Sequence, residues 1–397
     1  MTEPLPDSFV EPIDSTSPLG EVHSITVQLP GFTIRSGYHF DSIDINYVAL
    51  GQLSPQKDNA ILITHALSGN AHVAGINPET QKLGWWSHYV GPGKPIDTDR
   101  FFVICSNVIG GCNGSTGPTS TNPTTGKVYG MDFPPVTIQD MVYAQSLLID
   151  HLGIDQLFAV VGGSMGGMQA LSWAVQFPKR LQLCVPIATA MAHSAMQIAF
   201  NEVGRQAILT DPEWNNGNYN PQDRPEHGLA VARMIGHITY LSEAVMETKF
   251  GRRQQRPARS EDVFPVFFAV ESYLQYQGSS FVNRFDPNSY LYITKALDMF
   301  DLFDGAHSAD ILSKVTCRFL IISFESDWLY PPKQSKELAR ILRRAGKKVT
   351  YLNIDTNYGH DSFLIPNPPL EKVLDSFLDL EYSHRHENEV NQKGALS

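Results

Sequence analysis

Residues 157–177 constrain the fold more tightly than any other stretch of the chain. A continuous apolar run, 157–161, leads through Gly162-Gly163-Ser164-Met165-Gly166-Gly167 into a helical segment, 168–177. A short apolar run bounded by glycines reads as a buried strand, so Gly162-x-Ser164-x-Gly166 falls on a strand-to-helix turn, the sequence form of a nucleophile elbow. The reason is steric. A serine on a sharp, strained turn projects its hydroxyl beyond the end of a sheet, and small neighbours let helix and strand approach closely. The same turn puts the backbone N–H of Met165 at a helix start, where it can stabilise an oxyanion.

The pattern around the elbow repeats. Runs 60–64, 101–105, 157–161 and 181–187 read as buried strands, with helices over 138–152 and 168–177. Strands alternating with helices imply an α/β fold, a mostly parallel sheet covered on both faces. After residue 188 the texture changes to helical stretches with no convincing buried strand. Alternation resumes with a strand over 319–323, a helix over 333–345, a strand over 349–354 and a helix near 370–380. The expected organisation is a flexible arm (1–20), a core made of 21–189 and 307–382, a helical lid (190–306) and a polar, frayed tail (383–397).

Composition narrows the functional classes. A formal net charge of −11 argues against general nucleic-acid binding. No run of about 18 apolar residues suggests a transmembrane helix. Residues 1–20 lack a basic segment followed by an apolar one, so a cytoplasmic location is expected. The four cysteines, Cys105, Cys112, Cys184 and Cys317, form no metal-binding spacing. Buried reduced thiols are the expectation for three of them; Cys112, in a glycine-rich loop, sits nearer a site and receives no catalytic role.

A serine hydroxyl is a weak nucleophile until a base takes its proton and a carboxylate orients that base. In the α/β-hydrolase arrangement the chain order is Ser, then Asp or Glu, then His, each following the carboxyl end of a strand. Asp327 follows the strand 319–323, with Glu325 as the rival carboxylate and Asp355 a weaker one. His360 follows the strand 349–354, next to Gly359, which frees the loop to present the ring. Thirteen histidines lie in the chain; His360 stands out because both order and position match. The second oxyanion donor should come from the loop after an earlier strand, and the N–H of Leu67 in Thr64-His65-Ala66-Leu67-Ser68-Gly69 is the candidate beside Met165.

These residues and their surroundings resemble the homoserine O-acyltransferases of methionine biosynthesis, of the α/β-hydrolase type, and most of all the homoserine O-acetyltransferases. The resemblance covers nearly all of residues 45–380. It runs through 64–69, 91–94, 105–112, 114–118, 162–169, 232–235, 237–242, 326–328 and 359–361. It implies a two-step transfer in which Ser164, with His360 as base and Asp327 orienting it, takes the acyl group from acetyl-CoA and passes it to L-homoserine. It places Arg233 on the homoserine carboxylate, Asp361 on its amino group and Tyr240 along the site. No cofactor is permanently bound and no metal is implied; a homodimer through the lid helices is.

The residue chemistry agrees. A zwitterion needs one fixed cation and one fixed anion, and arginine clamps a carboxylate in bidentate fashion. Arg233 and Tyr240, seven apart, share a helix face. A lid suits a transferase, because an acyl-serine must be kept from water. Other readings remain. The triad alone fits an esterase or thioesterase, whereas its completeness argues against an inactive binding scaffold. A succinyl donor would need another cation near the acyl pocket, and Cys112-Asn113-Gly114 resembles succinyl-using members. Thr116, Met131 and the segment from Val136 resemble acetyl users. L-Serine is the lesser alternative acceptor.

Overall fold

The computed structural model describes residues 17–220, 224–255 and 266–394, with side chains through His384. Its strands are β1 (Ile25–Pro30), β2 (Ser42–Leu50), β3 (Ala60–Thr64), β4 (Val90–Gly91), β5 (Ile96–Asp97), β6 (Phe102–Ser106), β7 (Leu157–Gly163), β8 (Leu181–Ile187), β9 (Arg318–Phe324) and β10 (Val349–Ile354). Eight of these form one sheet in the order β1-β2-β6-β3-β7-β8-β9-β10, while β4 and β5 pair separately. From β6 to β10 neighbouring strands run parallel; β2 lies antiparallel to β6 and β1 antiparallel to β2.

Alternation along each strand builds two cores. In β3, Ala60 and Leu62 face one core while Ile61 and Ile63 face the other. The first core is closed by α1 (Ile138–His151), α2 (Met165–Gln176) and a later helix through Leu338, Ala339 and Leu342. The helix α1 starts cleanly because Thr137 and Asp140 form a reciprocal capping box.

Between β8 and β9 the chain forms α3 (Ala195–Leu209), α4 (Glu226–Tyr240), α5 (Glu243–Lys249), α6 (Ala269–Val282), α7 (Pro287–Asp298) and α8 (Ser308–Ser313), with no named strand among the described residues. These are followed by α9 (Pro332–Arg344), which carries the leucines just named, and α10 (Pro368–Gly394). Leu370, Leu374 and Leu378 of α10 close the second core.

Three features differ from the sequence expectation. The antiparallel edge β1–β2 was missed: β2 alternates exposed and buried residues rather than forming an apolar run. The elbow helix begins at Met165, three residues before the expected start. The tail expected to fray from Ser383 continues α10 to Gly394, with no proline in it to stop the helix. The expected flexible arm lies mostly outside the described residues. Its described end is bonded to the core, with Ile76 N–H donating to Gly20 and Val22 N–H to Ile76.

Candidate active site

The elbow is set by backbone contacts that only glycine permits. A Cβ on Gly162 would lie 2.2 Å from Thr64 Oγ1, and one on Gly166 would lie 2.0 Å from the Thr64 carbonyl oxygen. With both absent, α2 sits tightly on β3, and Thr64 Oγ1 donates to the Gly166 carbonyl at 2.8 Å. Ser164 at the apex has φ 57 and ψ −122, a strained conformation for a residue with a side chain. The strain is held by Ser164 N–H donating to Ile187 at 2.9 Å and by Thr189 Oγ1 donating to the Ser164 carbonyl at 2.8 Å.

His360 comes to this serine from the other end of the chain. It lies on a 3-10 turn, Gly359–Phe363, just past β10. Gly359 has φ 71, and a Cβ there would lie 2.6 Å from Ser242 N. His360 Nε2 stands 2.9 Å from Ser164 Oγ and its Nδ1 stands 2.8 Å from Asp327 Oδ2. Asp327 accepts a second bond, from Tyr330 N–H to Oδ1 at 2.8 Å. Asp327 is 1% exposed and His360 3%. Since Asp327 can only accept, Nδ1 carries the proton and Nε2 is left free to accept from the serine. The rivals do not reach the ring: Glu325 is exposed and bonded to Asn353, and Asp355 is exposed.

Met165 and Leu67, the two expected oxyanion donors, both lie near Ser164. Met165 is the first residue of α2, so its N–H has no partner within the helix. Leu67 follows β3 and lines the same small cavity as Ser164, about 50 Å³ in volume. Its loop is fixed by His65, whose Nδ1 donates to the Ala66 carbonyl at 2.8 Å while Nε2 accepts from Val108 N–H at 3.3 Å. Burial lowers the His65 pKa to about 4, against a smaller opposing effect of the Ala66 bond. The ring is therefore a neutral brace. Sequence reasoning passed over this role for His65.

A cation and an anion lie beyond the triad. Arg233, on α4, donates to Ser68 Oγ at 3.2 Å and lies 4.7 Å over the Phe281 ring and 5.5 Å from the Tyr240 ring. Its Nε is buried and has no hydrogen-bond partner among the described residues. Arg284 lies 5.0 Å from the Phe281 ring and donates to the Ser68 carbonyl at 2.9 Å; no motif pointed to it. Asp361 makes no side-chain hydrogen bond among the described residues. Burial pushes its carboxyl up, the neighbouring His360 and Arg233 pull it back, and Asp327 adds to the rise. Tyr240 lines the cavity, with its ring 6.1 Å from that of His360.

Tyr330, His193 and Asp298 also gather here, none of them expected from the sequence. Among the described residues no three His, Cys, Asp or Glu side chains group to hold a metal. Burial pushes the Cys112 thiol up to about 12, so it stays protonated and unreactive.

The sheet order, the elbow and the Ser164–His360–Asp327 geometry define an α/β hydrolase, and the sequence pattern of the alpha/beta hydrolase fold matches residues 59–365. A homoserine O-acetyltransferase of Methanohalobium evestigatum is 53% identical over 92% of this chain and 75% of its own length. One from Leptospira biflexa is 52% identical over 91% of this chain and 94% of its own. The crystal structure of the Bacillus anthracis homoserine O-acetyltransferase superposes with a TM-score of 0.84 at 30% identity, covering 90% of this chain and 97% of that one. Esterase E22 superposes with a TM-score of 0.83, also at 30% identity, covering 90% and 100%. The chain belongs to the homoserine O-acetyltransferase family.

Proposed function

We propose that this chain moves an acetyl group from acetyl-CoA to the hydroxyl of L-homoserine, a step of methionine biosynthesis, by a ping-pong route through an acetyl-serine. Ser164 Oγ attacks the thioester carbon while His360 Nε2 takes its proton. The C–S bond breaks as His360 returns that proton to the coenzyme A sulfur. The homoserine hydroxyl then attacks the acetyl-serine, giving its proton to His360, and the C–Oγ bond breaks as that proton returns to Ser164. In both tetrahedral intermediates the oxyanion accepts from Leu67 and Met165 N–H, and Asp327 holds the imidazolium.

One observation carries the acceptor assignment. Among the described residues Arg233 Nε has no hydrogen-bond partner and the Asp361 carboxylate makes no side-chain hydrogen bond, and the two charges are close enough to influence each other beside the triad. A carboxylate accepting from Arg233 and an ammonium donating to Asp361 satisfy both groups at once, with Tyr240 along the wall. Esterase E22 has nearly the same fold, so overall shape does not distinguish transfer from hydrolysis. These two charges favour transfer.

The acetyl donor rests on the cavity beside Ser164. At about 50 Å³, with no Lys or Arg in its lining, it accommodates a methyl group and offers no counter-charge to a succinyl carboxylate. Exposed apolar residues Met196 and Val203 on α3, Val231 and Ile238 on α4 and Tyr276 on α6 support a homodimer through the lid, to be checked by light scattering. Free cysteines are consistent with a cytoplasmic location, to be checked by cell fractionation.

The deciding experiment is thiol release from acetyl-CoA with and without L-homoserine, beside succinyl-CoA and L-serine. Release that requires both acetyl-CoA and homoserine is expected. Release from succinyl-CoA alone would overturn the donor, faster release with serine the acceptor, and equal release without any acceptor would make the chain a thioesterase.

A further inference from the structure

A second histidine–carboxylate pair lies beside the first. His193 Nδ1 stands 3.0 Å from Asp298 Oδ1, with the two side chains 2% and 5% exposed. Asp298 also accepts from Asn201 at 2.7 Å and pairs with Arg205 at 2.7 Å. Burial opposes its charge, but the bonds from His193, Asn201 and Arg205 outweigh that and hold the carboxyl below the usual range. The far nitrogen of this histidine, Nε2, lies 2.6 Å from the Tyr330 hydroxyl. In the tautomer whose Nδ1 proton faces Asp298, His193 Nε2 accepts and Tyr330 O–H donates. Burial pushes the Tyr330 hydroxyl far up, which its contact with Ser164 only partly offsets, so it keeps its proton.

Tyr330 touches the catalytic triad in two further ways. Its ring stacks on His360, with centroids 4.9 Å apart and planes 25° apart. Its backbone N–H holds the Asp327 oxygen that His360 does not use. One residue thus contacts both members of the acid–base pair, and its hydroxyl is tied to a buried ionic cluster built by α3 (Asn201, Arg205) and α7 (Asp298). Desolvating such a cluster is costly, and an apolar cluster of like volume is often as stable. What the ionic cluster adds is directionality: it fixes the Tyr330 O–H on His193, while the same oxygen contacts Ser164.

We infer that Tyr330 is a positioning residue for His360, locked through its hydroxyl by the His193–Asp298 pair, so that seating of the lid helices α3 and α7 and alignment of the triad are one event. The ring cannot slide off the imidazole without breaking the bond to His193, and that bond holds only while α3 and α7 keep Asp298 in place. The inference rests on Ser164, His360 and Asp327 performing the transfer proposed above.

The test uses Tyr330→Phe, which retains the ring and the backbone N–H and removes one oxygen. Acetyl transfer should show kcat about tenfold lower, the scale of one buried hydrogen bond, with the homoserine KM unchanged. Acetylation of Ser164 by p-nitrophenyl acetate should slow by the same factor. His193→Leu should also slow both steps, and the double variant should be no slower than Tyr330→Phe alone, because the bond to His193 is already lost there. His193→Gln, which restores an acceptor, should recover most of the rate. Wild-type kcat in Tyr330→Phe, additive losses, or a loss carried by KM would each overturn the inference. Should His193→Leu fail to fold, Tyr330→Phe and His193→Gln still decide the matter. Ser164→Ala is the control: turnover there defeats the proposed reaction itself, whereas a dead Ser164→Ala with an unaffected Tyr330→Phe defeats only the role of Tyr330.

Discussion

Replacing Arg233 with methionine separates the two half-reactions. Methionine fills much the same volume on α4 and removes the charge. In the free enzyme Arg233 donates one 3.2 Å bond to Ser68 and stacks on Phe281, leaving Nε without a hydrogen-bond partner among the described residues. A bound homoserine carboxylate would accept from Nε and a terminal nitrogen, two charge-assisted bonds of about 1.5–3 kcal/mol each. Taking the lower figure, because the side chain is only half-buried, gives about 3 kcal/mol, or roughly a 100-fold rise in the homoserine KM. Acetylation of Ser164 involves no amino-acid carboxylate, so the burst of p-nitrophenol from p-nitrophenyl acetate should stay within about twofold of wild type. Arg233 also lies near Arg284, across Phe281, so losing its charge relieves repulsion and the melting temperature should fall by only a few degrees. The assay pairs that burst with steady-state thiol release over a homoserine titration. An unchanged homoserine KM, or a burst reduced as much as turnover, would refute the assignment.

Three further outcomes follow from the geometry. In Asp327→Asn the side-chain oxygen must still accept from Tyr330 N–H, which turns the amide nitrogen toward His360 Nδ1 and forces the wrong tautomer. By analogy with the same change in serine proteases, kcat should fall by about 10⁴ with little change in melting temperature, as steady-state kinetics beside calorimetry will check. Burial raises the Asp361 pKa, so its charge costs folding energy above that folded-state pKa, and the cost disappears as pH falls below it. Asp361→Asn should therefore melt higher at neutral pH while its homoserine KM rises by at least tenfold; a lower melting point would contradict the direction. His65 stays neutral in the fold down to about 4, whereas an unfolded histidine takes a proton near about 6.5. Stability should thus fall with pH across that window, and His65→Gln should flatten the fall in denaturant titrations at pH 7, 5.5 and 4.5.

What was legible in the sequence is what the backbone dictates locally. Gly162 and Gly166 stand where a Cβ would collide with Thr64, so the elbow is written in residue types. Asp327 and His360 were legible because each follows a strand in a fixed chain order. Less legible were features whose cause lies far along the chain. Tyr330, His193 and Asp298 are ordinary residue types, 137 and 105 positions apart in their pairings. Arg284 gains meaning only from the Phe281 ring that it shares with Arg233. The β1–β2 edge escaped notice because β2 faces water on one side and lacks the continuous apolar run of β3 or β7. The start of α2 was read late because glycines after Ser164 resemble a turn; packing on Thr64 and Thr189, possible only without side chains, makes them helical.

Esterase E22 and a homoserine O-acetyltransferase superpose on this chain about equally well, so the fate of an acyl-serine here has to be argued from the few groups that meet the acceptor. Water needs nothing beyond His360 to attack an acyl-serine. An amino acid needs two opposite charges held apart at a fixed spacing, and leaving Arg233 Nε and the Asp361 carboxylate without hydrogen bonds among the described residues of a partly buried site is costly unless something binds there. Arg233 is on α4, in the helical stretch between β8 and β9, and Asp361 is on the turn after β10, directly after His360. The acceptor's two charges would thus bridge lid and core, closing the site over the acyl-serine when the proper nucleophile is bound. Through Tyr330 and its ionic anchor on α3 and α7, the same closure would align His360. Excluding water, recognising the acceptor and positioning the base then depend on one contact between two parts of the chain.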